Sequence, residues 1–153
     1  MTLPIRPKAL PAAELAKIES VWQAPGLKAT LISVFCAFGG WAILLPVIPL
    51  AIIEAGGSET MAGASTGIFM GATVATQYFT PRILRKVGYF PVMATAGLLL
   101  GLPALLHIGS LSNAAVIAVA IIRGIGFGAV TVTEAALIAD LVPLHLLGRS
   151  SGV

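Results

Sequence analysis

Residues 87–122 read VGYFPVMATAGLLLGLPALLHIGSLSNAAVIAVAII, 36 residues without an Asp, Glu, Lys or Arg. As one α-helix this run would be about 54 Å long, well beyond the roughly 30 Å hydrocarbon core of a bilayer. It must fold back on itself. Its only polar break is Gly109-Ser-Leu-Ser-Asn113, and clusters of Gly, Ser and Asn mark chain reversals. One membrane span is therefore expected over residues 89–108. A second starts near Asn113 and runs to about 141, where Val142-Pro143 disfavours further helix.

Working outward, Thr60 to Pro81 is a second charge-free stretch, and Ala29 to Ile53 a third. Each is long enough to cross a bilayer as a helix. Between them Glu54-Ala-Gly-Gly-Ser-Glu59 reads as a turn, and residues 82–88, Arg-Ile-Leu-Arg-Lys-Val-Gly, read as a basic loop. Pro46 and Pro49 predict a kink in the second half of the first span. The expected fold is an all-α polytopic membrane bundle of four transmembrane helices, over residues 29–53, 60–81, 89–108 and 113–141. Residues 1–28 form a cytoplasmic tail. In it Leu15, Ile18, Val21 and Trp22 fall at helical spacing, which fits a short helix lying on the membrane surface, with a solvated tail as the alternative.

Composition agrees. Of 153 residues 58% are hydrophobic and 10% charged, and the mean hydropathy is +1.00. A soluble domain of this size carries about 25% charged residues to cover its surface, and a disordered chain needs low hydrophobicity. Both classes are excluded. The net charge of +3 does not indicate nucleic acid, because the basic residues flank apolar runs and report topology. Cys36 is the only cysteine, so no intrachain disulfide forms. His107 and His145 have no acidic or Cys neighbour at ligand spacing, and no metal or cofactor is expected. Gly124-Ile-Gly126-Phe-Gly128 resembles a phosphate-binding turn, but it follows no strand and lies inside a span. No enzymatic motif is present.

The basic residues set the orientation. Arg6, Lys8, Lys17, Lys28, Arg82, Arg85, Lys86 and Arg149 lie in the tail, the second connection or the segment after the fourth span, and the first and third connections have none. The positive-inside rule places the N-terminus in the cytoplasm of a multi-pass protein of the plasma or inner membrane.

Two ionisable residues fall inside a span. Placing a charge at mid-membrane costs about 2.5–3.5 kcal/mol even on the gentlest scale, so such residues usually face a wet interior. Arg123 and Glu134 are eleven positions apart, three turns plus about 20°, hence on one helix face and about 16 Å apart along the axis. That rules out a direct ion pair and fits a polar stripe along a transport pathway, to which Gln77, Thr73 and Thr131 add polar atoms. Structural pairing with a neighbouring helix is the alternative for each. Asp140 lies at the depth of Arg85 and Lys86, and an inner-side ion pair or gate between them is expected. Gly63, Gly67 and Gly71 recur every fourth residue and Gly97 and Gly101 repeat the pattern. With Gly124, Gly126 and Gly128 they mark faces where helices pack closely.

These features resemble the N-terminal part of a major facilitator superfamily transporter. Leu45-Pro46-Val-Ile-Pro49-Leu50 closes the first span as in many members. Pro81-Arg-Ile-Leu-Arg85-Lys86-Val-Gly88-Tyr-Phe falls where the family has its second-to-third loop signature, with Lys86 and Gly88 matching in kind. Pro81 stands for its first glycine, Arg85 for its aspartate, and Tyr89-Phe90 for its basic pair. Arg123-Gly-Ile-Gly126-Phe-Gly128 resembles the arginine and spaced glycines of the fourth span, and Ala139-Asp140-Leu-Val-Pro143 with Gly148-Arg149 resembles the start of the next loop. The resemblance covers residues 29–153 and implies twelve spans in two halves, with a small-molecule substrate near the midplane between them. It implies a secondary transporter of the proton-coupled exporter kind, present as an N-terminal fragment. In it Arg123 biases substrate or proton binding and Glu134 carries a proton. Without its second half, the face holding Arg123 and Glu134 is expected to meet lipid, and the small-residue strips offer a way to find an oligomer partner. A four-span scaffold or assembly subunit without transport is the alternative. A small dimeric multidrug exporter is disfavoured, because the first span lacks the acidic residue those proteins need.

The topology is open to direct test. Cysteines placed at Gly57 and Ser110 should label from outside intact cells and one at Ser20 should not; labelling of the Ser20 site alone would reverse the orientation.

Overall fold

The computed structural model describes residues 26–108 and 112–141, and every regular element among them is helical. The surface helix expected around 15–22, residues 109–111 of the third connection, and His145 and Arg149 lie outside the described residues. Helix α1 spans Leu27–Glu54 and α2 spans Glu59–Val87. Helix α3 spans Tyr89–Gly101 and tightens into a 3₁₀ segment over Leu102–Ile108. Helix α4 spans Asn113–Leu141.

Local chemistry explains the boundaries. Gly26 precedes α1 at φ 85°, a left-handed conformation that favours glycine. Ser58 caps α2 by accepting from the Met61 N–H at 3.1 Å, with Glu59 complementing the positive end of the helix dipole. Both prolines of the first span lie inside an α1 that stays helical throughout. Gly57 leaves no space for a Cβ, which would stand 2.7 Å from both Ile52 Cγ2 and the Ile52 carbonyl oxygen. The labelling cysteine at that end of the bundle therefore belongs at the exposed Ala55.

The second connection departs from the sequence reading. Residues 82–87, expected as a basic loop, continue α2 past Pro81 to Val87, where Arg85 and Lys86 sit favourably in the last turn. Gly88 alone reverses the chain, at φ 90° and ψ 173°. Pro91 falls in the first turn of α3, where a missing N–H costs no intrahelical bond. A glycine link followed by a helix-starting proline thus does the work assigned to a longer loop.

Among the described residues three stretches are long and apolar enough to cross a membrane: α1, Tyr89–His107 and α4. Helix α2 is as long but richer in hydroxyls. Several are satisfied within the helix, with Thr73, Thr76 and Thr80 donating to the carbonyls of Phe69, Ala72 and Thr76 at 2.8–2.9 Å. Such back-bonding removes much of the cost of a polar helix in an apolar medium. Outward side chains such as Phe35 (80% exposed) and Phe90 (79%) suit lipid.

Helix α4 is the hub, packing most broadly on α2 and then on α3, with α1 more sparsely attached. Its three glycines make this possible. A Cβ on Gly124 would stand 2.4 Å from the Phe69 carbonyl oxygen, and one on Gly128 2.5 Å from that of Thr73, both on α2. A Cβ on Gly126 would stand 2.6 Å from the Leu100 nitrogen and 2.7 Å from the Ala96 oxygen, on α3. Positions 124 and 128 share one face and 126 points the other way, so five residues admit two neighbouring backbones. Thr73 Oγ1 also reaches the Gly124 carbonyl at 3.2 Å. Between the glycines Phe127 stacks on Trp41 (centroids 5.1 Å apart, planes 14° from parallel) and packs on Phe69 and Phe38. Gly63, Gly67, Gly71, Gly97 and Gly101 are placed differently. All five are exposed, and a Cβ on any of them would meet nothing within 4 Å. The buried face of α2 is Ala62, Ser65, Phe69, Thr73 and Thr80, a register that turns its glycine strip outward.

Alanine at Gly126 should lower stability by about 1–3 kcal/mol through backbone overpacking. Alanine at Gly67 should be neutral or stabilising by up to about 1 kcal/mol from helix propensity. Thermal melts of the two variants in detergent would show the contrast, and equal melting points would contradict this packing.

Candidate functional site

Arg123 and Glu134 both sit on α4, and the structure buries both, at 4% and 3% exposure. This corrects the expectation that their face meets lipid. Helix α1 and the 3₁₀ segment cover that face, so four helices suffice to take both groups out of contact with the surroundings. Among the described residues, the other Asp, Glu, Lys and Arg side chains stand at helix ends.

Arg123 is directed at α3. Its Nε donates to the Leu100 carbonyl at 3.1 Å, and its guanidinium carbon lies 5.7 Å from the centre of the Phe69 ring. Pro103 has no N–H to donate back along α3, so this is a stretch of backbone short of one donor, and the arginine supplies one from a neighbouring helix. A cavity of about 30 Å³ lies beside it, lined by Trp41, Ser65, Phe69, His107 and Ala120 among others.

Glu134 is directed at α1. Ser33 donates to its Oε1 at 3.4 Å, and its Oε2 is buried without a partner among the described residues. Next to Ser33 a groove of about 290 Å³ opens between α1 and α3. Its walls are mostly apolar, and Gly40, Gly97 and Gly101 form part of them. The glycines that pack on nothing thus make room for this groove.

The remaining sequence candidates fall elsewhere. Gln77 donates from Nε2 to Thr131 Oγ1 at 3.0 Å, and Thr131 in turn donates to the Gly128 carbonyl at 3.1 Å. This chain ties α2 to α4 and does not join Arg123 to Glu134. At the end of the bundle that carries Arg85 and Lys86, the Tyr89 hydroxyl donates to an Asp140 carboxylate oxygen. The sequence reading missed Ser33, Trp41 and Tyr89. Tyr89 was visible only as a departure from a basic motif. Nothing local marks Ser33 or Trp41, because their roles come from the way α1 crosses α4.

The comparisons with known proteins converge on one family. The profile of the Major Facilitator Superfamily matches residues 3–153. Two curated sequences, each called an uncharacterized MFS-type transporter, come from the CDC 1551 / Oshkosh and H37Rv strains of Mycobacterium tuberculosis. Each is 29% identical over 131 residues, which is 82% of this chain. The chain spans only 18% of the length of these relatives. No solved structure matches it.

The Tyr89–Asp140 contact predicts a coupling of about 0.5–1 kcal/mol, the scale of a hydrogen bond at a solvent-accessible helix end. A double-mutant cycle of Tyr89→Phe and Asp140→Asn, read by thermal unfolding, would measure it. Strict additivity would mean that the pair contributes nothing.

Proposed function

The chain belongs to the major facilitator superfamily, and on that premise we propose that its four helices serve as the N-terminal part of a secondary transporter moving small amphipathic molecules across the cell membrane, with coupled proton movement. The observation that carries this reading is the burial of Arg123 and Glu134 inside an otherwise apolar bundle. Neither is neutralised by an oppositely charged side chain in the contacts described. Structural ion pairs would meet each other, whereas these two face separate spaces.

Three features support the division of labour. The groove between α1 and α3 is apolar and close to the lower end of the size range of small-molecule pockets, about 300 Å³. Glu134, bonded at one oxygen and unpartnered at the other, suits a group that takes up and releases a proton. Arg123, held by a neutral carbonyl, keeps a positive charge at the opposite end of the polar stripe. The N-terminus lies in the cytoplasm on this reading, by the distribution of basic residues. The scaffold alternative draws on the outward strip of Gly63, Gly67 and Gly71, a face on which another helix can pack closely.

The test is flux of a fluorescent amphipathic amine into liposomes under an imposed proton gradient, with the full-length protein reconstituted. Flux is expected, and it should fall at least tenfold in Glu134→Gln or Arg123→Ala. Residues 1–153 alone should show none, because alternating access needs two halves around one site. Gradient-independent flux in Glu134→Gln at the wild-type rate would remove the proton role. An absence of flux in every arm would favour the scaffold.

A further inference from the structure

The small cavity beside Arg123 has a chemistry of its own. It lies where α1, α2 and α4 meet the 3₁₀ segment, and Trp41, Ser65, Phe69, His107 and Arg123 are among its walls. Arg123 is a donor-only, permanently charged group. Among the described residues its one hydrogen bond is from Nε to a neutral carbonyl, which leaves the two terminal nitrogens of the fork without acceptors. Trp41 is also donor-only, and its indole N–H is buried without a partner among the described residues. Ser65 has committed its proton to the Ala62 carbonyl at 2.7 Å, so it does not add a further donor.

Two donor-only groups on one cavity call for an acceptor, and a buried guanidinium with no carboxylate partner calls for negative charge. One occupant meets both needs. The volume of about 30 Å³ decides its size. A water-sized group takes about 10–15 Å³ on this measure, so there is room for a single halide or for the two oxygens of a carboxylate. A dianion such as sulfate would bring a second charge that the single guanidinium does not neutralise in an apolar surround.

We propose that this cavity is a binding site for one small monoanion, held by the terminal nitrogens of Arg123 and the indole N–H of Trp41. A free halide and the carboxylate of a small molecule share that chemistry. The site does not depend on the transport reading, since it forms from contacts within these four helices and its occupancy is measured at equilibrium without flux.

The experiment is the unfolding temperature of the purified full-length protein in detergent, titrated at constant ionic strength with chloride or acetate replacing isethionate, a bulky sulfonate. A ligand that binds the folded state raises the midpoint in a saturable way. Such a rise is expected with chloride and with acetate, and not with sulfate. Arg123→Gln should abolish the response, but that variant also removes a structural bond. Trp41→Phe is the gentler test, because it removes the N–H with part of the ring and keeps an aromatic face to stack on Phe127. The apparent Kd for chloride should then rise about tenfold, the scale of one lost hydrogen bond to a charged partner. A stronger response to acetate would assign the site to a substrate carboxylate, and a stronger response to chloride to a resident halide; either supports the site. Three results would overturn it: an equal rise with sulfate, no saturable rise with any anion, or an unchanged Kd in Trp41→Phe. The last two would mean that the cavity holds water only.

Discussion

The approach of three helix backbones around Gly124, Gly126 and Gly128 is the constraint on which the rest of the bundle depends. In lipid there is little hydrophobic gain from bringing helices together, so packing and polar contacts must supply the attraction. Backbones that meet at glycine gain both. The absent side chains let α2 and α3 reach van der Waals contact with α4 on opposite sides, and Thr73 can then bond across to the Gly124 carbonyl. The same approach fixes Phe127 between them as the centre of the aromatic cluster with Phe69, Trp41 and Phe38. It also sets Arg123, one residue before the first glycine, within reach of the Leu100 carbonyl.

That placement shows how the chain tolerates polar groups at membrane depth. Most are neutral hydroxyls, and on α2 those of Ser65, Thr73, Thr76 and Thr80 bond to carbonyls of their own helix. Gln77 bonds Thr131 on the next helix. The two ionisable groups are treated unequally. Arg123 has a full hydrogen bond and an aromatic face. Glu134 has one long bond from a serine and one bare oxygen. A buried oxygen without a donor costs free energy, so Glu134, like the buried indole N–H of Trp41, is held at a cost.

Much of this arrangement was legible in the residues, for reasons that differ by element. The 36-residue uncharged run could only be two helices, because bilayer thickness allows no other length. The cost of a charge in lipid marked Arg123 as a group in need of cover, but the sequence did not show that these four helices supply it, and its face was expected to meet lipid. The end of α2 was not legible, because a proline and three basic residues suggest a loop, while the helix dipole and a single glycine link favour continued helix. The glycine strips were read correctly as small-residue faces, but a period of four cannot say which face turns inward. On α2 that is decided by Phe69 and the threonines, which carry more buried contact than the glycines do. The burial of Glu134 was also out of reach, since it depends on where α1 crosses, and the only sequence mark of that crossing is an ordinary serine.

Helix α1 is held to the bundle least. Of its 28 residues only Leu27, Thr30 and Ile52 are buried. The side-chain hydrogen bond described from it to another helix is the 3.4 Å contact of Ser33 with Glu134. Helices α2 and α3, by contrast, meet α4 at backbone distance. Regions with few buried apolar contacts and weak hydrogen bonds open at the lowest free energy, so displacement of α1 is the cheapest distortion available to these four helices. Such a displacement would widen the groove that α1 shares with α3, and it would break the one described hydrogen bond to the Glu134 carboxylate. The groove and the ionisable group next to it are thus governed by one loosely held helix, while the glycine contacts keep the other three together.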